Sequence, residues 1–598
     1  MMIFWPKHKR VSRKRPVWRN IRPMTILLVV PIILFGLTVT VLTTDVHAHI
    51  LASHGNERLR TDGWQEAAEI MRGVQPDYAR KWAYYAIKPG QTVKEVADFF
   101  GVNVKQIRQD NPILTAAIRR CDHRVYSVRS IGTGVCRRRL IAGVTVKIRP
   151  TAKQLQPVRP NGRIDRAIIV EDGDLLRVQN EYGLDRPITT DIDGLMDLLR
   201  GYKAIKRTGP GTYRLNRAIS IEGDIRVDLT SPDLSKLELT STPDVLASLV
   251  FDQSSVLIKG ISITSVDPST GKPDLDSADG RAFVRMKNGR MDVIDSKLSY
   301  LGNGLKKTLS AKAKVSTAQQ EGGTYGFSYR ISKGKLGTEI STGWVEGSTF
   351  EHNHFGAYSF GASGIMWKDN IFRKNEVYGL DPHDDSNNAM IVGNVFYSNG
   401  KHGFIVSKRC NYNVIHDNVS INNKLHGFML HQDSAYNLIE DNVSYGNTDN
   451  FVIYGSNWNT VKDNVSYSPR SSHIRINSNT SNTFVTGNTM TGGDRGVYLY
   501  AGVDSTFVAD NVFQGFSETI QTAGASNTFF GSNVEEAVNY DIQSGDTVIY
   551  GVNMIRSSHA EHPVIVRWRS WRPYWERLGE GVEILTRRAV TAAAKAAK

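Results

Sequence analysis

Three short segments in the second half of the chain carry histidine, arginine and carboxylate side chains at matching places. They read YGLDPHDD over residues 378–385, HGFIVSKR over 402–409 and HGFMLHQD over 426–433. Alternate residues of a β-strand point to opposite faces, so the apolar positions predict one face and the polar positions the other. The predicted polar face carries Asp381, His383, Ser407, Arg409, His431 and Asp433, and a second column at the strand entrance carries Tyr378, His402, His426 and Asn450.

These residue types suit the removal of a proton from a carbon beside a carboxylate. Imidazole accepts a proton near neutral pH, and the planar fork of arginine matches a carboxylate whose charge must first be neutralised. We therefore predict His383 as the base and Arg409 as the neutralising cation. Asp381 and Asp384 are predicted to orient the imidazole and keep it basic. The predicted substrate-binding residues are Tyr378, His402, Lys408, His426, His431 and Asp433.

A recurring asparagine marks the repeat that must position these residues. It occurs every 22–24 residues, at Asn370, Asn394, Asn418, Asn442, Asn464, Asn488 and Asn511. Repeats of this length with about three short strands each are typical of the coils of a parallel β-helix. We predict an all-β, right-handed parallel β-helix over residues 200–550, in which the asparagines stack as a ladder. The Asn-Val-Ser sequences within it match a glycosylation acceptor pattern, but the ladder register favours a structural role.

The N-terminal region predicts export. Residues 1–23 hold eight basic and no acidic residues, and residues 24–44 form an uncharged apolar run long enough to cross a bilayer. The positive-inside rule puts the basic tail in the cytoplasm and the body of the protein in the periplasm. The run is either an inner-membrane anchor or a signal segment cleaved near Ala48. More than half of the formal charge of +15 belongs to this tail, and no nucleic-acid-binding motif accompanies it, so we expect no nucleic acid partner.

Residues 83–151 predict a small α+β unit with a strand, two helices and a closing strand. Its sequence resembles a LysM domain at Tyr85, Lys88-Pro89-Gly90, Thr92, Val96-Ala97, Gly101 and Asn111. The resemblance implies contact with N-acetylglucosamine-containing glycans such as peptidoglycan. Cys121 and Cys136 lie in an insertion in this unit, and in an exported protein they are predicted to form a disulfide.

Two further segments complete the predicted domain organisation. Residues 45–82 predict a helical linker between the membrane segment and the small unit. Residues 551–598 are rich in Trp and Arg and predict a helical tail, which would cover the open edge of the last coil.

The segment from Tyr378 to Asp384 resembles the Asp-Pro-His-Asp signature of the periplasmic mannuronan C5-epimerases of alginate-producing bacteria. Other segments that agree are Ser299-Tyr300-Leu301-Gly302, Tyr325-Gly326-Phe327-Ser328, Thr342-Gly343-Trp344-Val345, His402-Gly403 and Ser407-Lys408-Arg409. In that family the motif histidine is the base, an arginine on the next coil neutralises the substrate carboxylate, and water is the acid. The resemblance implies the first two roles for His383 and Arg409, with Lys408 as the alternative cation.

The same resemblance implies the reaction and its setting. The expected reaction converts β-D-mannuronate to α-L-guluronate within an alginate-like acidic polysaccharide. No cofactor is expected, and a polysaccharide export complex is a further expected partner.

Three other functions fit parts of the pattern. A polyuronate lyase would use the same base and cation but would expel the 4-linked sugar. A β-helix glycoside hydrolase would use Asp381, Asp384 and Asp385, but it would need neither His383 nor Arg409. A non-catalytic cell-envelope protein would hold glycan without turnover. We predict no metal among these residues, because they offer too few evident oxygen ligands for calcium.

Overall fold

The structure is a computed structural model that describes most of the chain between residues 83 and 550. The described residues are 83–87, 92–100, 102–112, 114, 145–148, 154–180, 188–304, 325–335, 339–531, 533–535, 540–542 and 548–550. The predicted basic tail, membrane segment and linker, the C-terminal tail, and both Cys121 and Cys136 lie outside these residues. Within the described part, no helix is both long enough and apolar enough to cross a bilayer.

A small α+β unit precedes the β-helix. Its elements are β1 (Ala83–Ala86), α1 (Val93–Phe100), α2 (Val104–Asp110) and β2 (Thr145–Ile148), and the two strands pair antiparallel. Thr92 and Glu95 form a capping box at the start of α1, in which the Thr92 hydroxyl donates to the carboxylate at 2.8 Å. Ile340 of the β-helix packs into the buried core of this unit. The order of elements agrees with that predicted for residues 83–151, whereas the LysM assignment and glycan binding stay predictions.

The remaining described chain consists mainly of short strands. Up to residue 299 these are β3 (Ile168–Asp172), β4 (Leu175–Gln179), β5 (Ile188–Asp191), β6 (Ile205–Gly209), β7 (Thr212–Leu215), β8 (Ala218–Glu222), β9 (Ile225–Thr230), β10 (Lys236–Thr240), β11 (Leu249–Asp252), β12 (Ser255–Lys259), β13 (Ser262–Val266), β14 (Val284–Lys287), β15 (Arg290–Ile294) and β16 (Lys297–Ser299). Helix α3 (Ile192–Leu198) and two 3₁₀ turns, Ile164–Arg166 and Arg200–Tyr202, accompany the first coil, and Leu195 of α3 is buried in the main core.

The central coils contain the strands β17 (Phe327–Arg330), β18 (Trp344–Glu346), β19 (Thr349–Glu351), β20 (Ala357–Phe360), β21 (Met366–Lys368), β22 (Ile371–Arg373), β23 (Leu380–His383), β24 (Met390–Val392), β25 (Val395–Tyr397), β26 (Phe404–Ser407), β27 (Val414–His416), β28 (Val419–Ile421), β29 (Phe428–His431), β30 (Leu438–Glu440), β31 (Val443–Tyr445), β32 (Phe451–Tyr454), β33 (Thr460–Lys462), β34 (Val465–Tyr467) and β35 (Ser472–Asn477). The last coils contain β36 (Phe484–Thr486), β37 (Thr489–Asp504), β38 (Phe507–Ala509), β39 (Val512–Ser526), β40 (Thr528–Gly531), β41 (Val534–Glu535), β42 (Tyr540–Ile542) and β43 (Val548–Tyr550).

Each central coil contributes one strand to each of three parallel faces. Face A contains β8, β11, β14, β17, β20, β23, β26, β29, β32 and β35; face B contains β5, β9, β12 and every third strand up to β36, followed by β38, β40 and β43; face C contains β7, β10, β13 and every third strand up to β34. The long strands β37 and β39 run from face C into face A. The architecture is therefore a parallel β-helix, as predicted. Parallel pairing already includes β4 and β5, which precede the predicted start at residue 200.

The predicted asparagine ladder is present. From Asn370 to Asn511, each side-chain amide donates to the Oδ1 of the asparagine on the next coil at 2.9–3.0 Å. The glycosylation-like Asn418, Asn442 and Asn464 belong to this ladder and are fully buried. A second ladder, not predicted, joins Asn375, Asn399, Asn423 and Asn447. Each buried amide finds its hydrogen-bond partner at the same turn of the next coil. The ladders therefore fix the register of successive coils.

Candidate active site

The three segments with chemical side chains lie side by side on face A. His383 of β23 pairs in register with Ser407 of β26, which pairs with His431 of β29. The intervening residues face inward: Leu380 pairs with Phe404 and Phe404 with Phe428, and all three are buried in the core. The alternation read from the sequence therefore gives the correct outer face, and stacking brings side chains from separate coils together.

His383 lies at the end of β23 with its imidazole one-fifth exposed. Its Nδ1 lies 2.6 Å from the Asp384 carboxylate, which leaves Nε2 outside that bond. Burial lowers the pKa of His383, and the neighbouring Asp384 opposes this effect. The imidazole is therefore neutral near pH 7, with Nδ1–H donating to Asp384 and a lone pair on Nε2.

Arg409 is tied to the same carboxylate from the next coil. Its Nη2 donates to Asp384 at 3.1 Å and to Asp385 at 2.9 Å, and its Nε donates to Asp385 at 3.1 Å. These bonds raise the pKa of Arg409, so the guanidinium stays charged. The side chain is half exposed, and Nη1 takes part in none of these bonds. His383, Asp384 and Arg409 thus form one continuous network at the edge of face A.

Lys408 lies beside this network. Its amide donates to the His431 carbonyl oxygen on the adjoining coil. Burial is the main cause of the lowered pKa values of His383 and His431, and the positive charge of Lys408 lowers both further. Lys408 and Arg409, two cations of one turn, therefore lie near the imidazole. Both remain candidates for neutralising the substrate carboxylate.

Asp381 does not have the predicted orienting role, because Asp384 makes the hydrogen bond to the imidazole. Asp381 is 2% exposed, and its Oδ1 has no hydrogen-bond partner. Burial, aided by the charge of Asp384, raises its pKa well above the ordinary value. Asp381 pairs in register with Tyr358, whose ring stacks on Tyr325 at a centroid distance of 3.5 Å. The carboxyl group consequently lies in an aromatic environment, where burial disfavours its charged form.

The strand-entrance column is a stack of rings. Tyr378 stacks on His402 at 4.9 Å, and His402 stacks on His426 at 4.8 Å. His402 is only 6% exposed, and burial holds its pKa well below the ordinary value. Burial also raises the pKa of Tyr378 to about 12, so its phenol keeps its proton. Of the two predicted binding histidines in this column, His402 offers very little surface to a ligand.

Asp449, rather than the predicted Asn450, continues this column below His426. Its Oδ2 lies 3.1 Å from His426 Nδ1 and 3.0 Å from Arg475 Nε. Asn450 is fully buried and donates inward to the Ser444 and Tyr467 carbonyl oxygens. The coil that begins after His426 is one residue shorter than those before it, which shifts the column.

The other predicted binding residues differ in their surroundings. His431 Nδ1 lies 2.9 Å from the Ser407 hydroxyl, and its ring packs against Tyr454. Asp433 is exposed at the turn and does not join the network of Asp384 and Arg409. An apolar strip on the outer side of face A consists of Ile405, Met429 and Val452, with Tyr378 and Tyr454 packed against it.

The sequence reasoning did not assign Tyr358, Asp449 or Arg475 to the site. A weak signal exists for Arg475, a lone basic residue among the alternating apolar residues of β35. No comparable signal exists for Tyr358, because the spacing between its coil and the preceding one is irregular.

Two family models match ranges of the chain that include this region. A family model described as right handed beta helix region matches residues 284–444, and one described as periplasmic copper-binding protein (NosD) matches residues 383–551. A mannuronan C5-epimerase of Pseudomonas putida is 27% identical over 226 residues, and one of Pseudomonas fluorescens is 35% identical over 225 residues. The chain is similar to mannuronan C5-epimerases.

This similarity is partial. Each alignment covers 36% of this chain, and the chain spans 40% and 39% of the length of these two epimerases. Among solved structures, a periplasmic alginate epimerase, AlgG, aligns with 83% of this chain and 100% of its own, with 17% identity and a TM-score of 0.49.

Proposed function

We propose that the protein is a mannuronan C5-epimerase, which converts β-D-mannuronate to α-L-guluronate within an alginate-like polymer in the periplasm. One observation carries the proposal: Asp384 joins the imidazole of His383 and the guanidinium of Arg409, although these two residues come from adjoining coils. The partial similarity to mannuronan C5-epimerases supports the same reaction.

His383 acts as the base. The Asp384 carboxylate accepts from Nδ1 and so fixes the tautomer that presents a lone pair at Nε2. Because burial lowers the pKa of His383, the imidazole remains unprotonated at neutral pH and is available to take the C5 proton of a uronate.

Arg409 neutralises the uronate carboxylate. A C5–H bond becomes acidic only when the negative charge that develops on the carboxylate is stabilised. Arg409 keeps a permanent charge, is half exposed and has Nη1 available for a planar carboxylate. Lys408 is the second candidate, since its charge also reaches His383.

Reprotonation of C5 from the opposite side of the sugar ring gives the inverted product. Water is the acid in this proposal, in line with the resemblance to periplasmic epimerases. The side chains of Tyr378 and His431 are only partly buried and contribute polar contacts to the sugar ring.

The arrangement disfavours a glycoside hydrolase. Hydrolysis needs one carboxyl group as acid and another as base or nucleophile. Asp384 and Asp385 are both engaged by Arg409, and Asp381 is buried, so none of the three is a free, exposed carboxylate.

A lyase would use the same base and cation, so product analysis must decide. The experiment incubates polymannuronate with the full-length protein in detergent and follows both proton NMR and ultraviolet absorbance. Guluronate signals without new absorbance support the epimerase, and unsaturated uronate at new chain ends would replace it with a lyase. The His383→Gln variant serves as the control, and polymer that is bound but never altered by the wild type would indicate a non-catalytic protein.

A further inference from the structure

A second cluster of titratable side chains lies on face B, away from the strands that carry His383. It contains His416 at the end of β27, Glu440 at the end of β30 and Asp441 in the turn that follows. One nitrogen and two carboxylate oxygens from these residues lie within 4.8 Å of one another. They come from two adjoining coils, since His416 pairs in register with Glu440. None of them contributes to the proposed epimerase chemistry.

The orientation of the His416 ring is defined by a carboxylate on its far side. Nε2 lies 3.0 Å from Asp417 Oδ2, whereas Nδ1 faces Asp441 Oδ2 at 3.6 Å and Glu440 Oε2 at 3.9 Å. Nδ1 is itself buried and has no hydrogen-bond partner. The two longer distances exceed the 2.7–3.2 Å range of ordinary N–H···O hydrogen bonds, so neither carboxylate accepts a hydrogen bond from Nδ1.

This geometry is that of a metal-binding imidazole with its supporting carboxylate. A histidine that binds a metal through one nitrogen usually donates its other N–H to a carboxylate, as His416 does to Asp417. With Nε2 held by Asp417, the ring directs Nδ1 toward two carboxylates, so a cation between them would be held by all three groups. Ligand atoms about 2.0–2.2 Å from one ion are separated by roughly 3–4 Å, which matches the distances around Nδ1.

Face B also contains a similar set of charged residues, around Glu346, that lacks a histidine. It serves as a reference for the set around His416. Lys368 lies 2.7 Å from Glu346 and 3.7 Å from Asp369, and Lys462 likewise contacts Glu440 and lies 3.7 Å from Asp463. One lysine thus accompanies the glutamate in each set. Around Glu346, however, the positions equivalent to His416 and Asp441 are occupied by Ile294 and Gly347.

The comparison of the two sets shows one additional carboxylate around His416, that of Asp441, because Asp295 follows Ile294 just as Asp417 follows His416. Lys462 contacts Glu440 through Oε1, while Oε2 faces the imidazole. A cation at His416 would therefore meet two carboxylate oxygens and a ring nitrogen, whereas the set around Glu346 offers neither the imidazole nor the second carboxylate.

We propose that His416, Glu440 and Asp441 bind a divalent transition-metal ion of the zinc type, with Asp417 positioning the imidazole. A mixed nitrogen and carboxylate ligand set suits zinc and its neighbours better than calcium or magnesium, which prefer oxygen ligands alone. The ion joins two adjoining coils on face B and stabilises them against separation. It takes no part in proton abstraction on face A.

A protonated His416 held by ion pairs is the alternative that the experiment must exclude. The full-length protein is stripped with a chelator and titrated with zinc chloride by calorimetry at about pH 8, where an ordinary imidazole is neutral. The proposal expects His416→Asn and Asp441→Asn each to lose one equivalent of bound zinc relative to the wild type. Glu346→Gln, which alters the reference set, retains it.

Thermal melting gives a second readout that does not depend on other zinc-binding histidines. We expect zinc to raise the melting temperature of the wild type and of Glu346→Gln, and to raise it less in His416→Asn and Asp441→Asn. Without zinc, these two site variants should melt at the same temperature as the wild type. Equal zinc stoichiometry and equal melting shifts in the wild type and His416→Asn would overturn the proposal and leave an ion-pair cluster.

Discussion

The turns that leave face A and face B both use left-handed backbone, two consecutive residues at face A and one at face B, but they contain very different residues. At the face B turn, Asp417 and Asp441 have φ angles of 54° and 53°, and an asparagine of the ladder follows each. At the face A turn, Lys408 and Arg409 have φ angles of 65° and 59°. Aspartate, asparagine and glycine tolerate this left-handed region, whereas long side chains adopt it rarely.

The difference indicates that the face B turn has a structural role, whereas the face A turn carries the chemical side chains. The face B turn repeats nearly the same residues in coil after coil, because its task is to fix the register. The face A turn carries Asp384-Asp385, Lys408-Arg409 and Gln432-Asp433 in succession, and it accepts local backbone strain of about 1–3 kcal/mol per unfavourable residue. Its departures from the repeat coincide with the network around His383.

The largest expected effect is the loss of turnover in His383→Gln. Removal of a general base lowers the rate about 10²–10⁴-fold, and we expect about 10³-fold here with little change in polymannuronate affinity. Initial rates by proton NMR and binding by calorimetry measure the two quantities. If His383→Gln keeps a tenth of the wild-type activity, His383 is not the base, and the proposal that the face A turn surrounds the catalytic residue is wrong.

Arg409→Ala should lower kcat about 10²–10³-fold, because the developing charge on the substrate carboxylate loses its partner. Lys408→Ala provides the matched comparison from the same turn and should lower kcat less than about tenfold. The reverse order of the two effects would transfer the neutralising role to Lys408.

Asn418→Ala tests the opposite turn. It removes a buried amide that donates to the Ile391 and His416 carbonyl oxygens and to Asn442, so we expect the free energy of unfolding to fall by about 2–4 kcal/mol. The epimerisation rate of the folded variant should stay near that of the wild type. Leu275→Ala, at a side chain 72% exposed, is the control and should change stability by less than about 0.5 kcal/mol. Unchanged stability in Asn418→Ala, measured by denaturant titration, would contradict a structural role for the ladder.

The smallest expected effect is a shift in the pH profile. His383 must be neutral to act, and burial lowers its pKa below the ordinary 6.5, so kcat/KM should decrease only as pH falls below about 6.5. Asp384 raises that pKa, so Asp384→Asn should move the acidic limb to still lower pH while reducing the rate. An acidic limb above pH 7 in the wild type would contradict a buried neutral imidazole.

The sequence predicted the coil repeat because its spacing is nearly regular where the asparagines stack. It also predicted which side of β23 faces outward, since Leu380 and Pro382 alternate with Asp381 and His383. It did not predict the burial of Asp381, which depends on aromatic rings from coils separated by irregular insertions. The error at Asn450 has a simple cause: one coil is a residue shorter, and a register shift of one residue reverses the direction of every side chain.

The measurement that tests the central claim most directly is proton NMR of polymannuronate incubated with the full-length protein in deuterated water. If His383 removes the C5 proton and solvent returns one to the opposite side of the ring, the new guluronate residues will carry deuterium at C5, and His383→Gln will produce none. Guluronate that retains its original C5 proton, or deuterium exchange that persists in His383→Gln, would contradict the account.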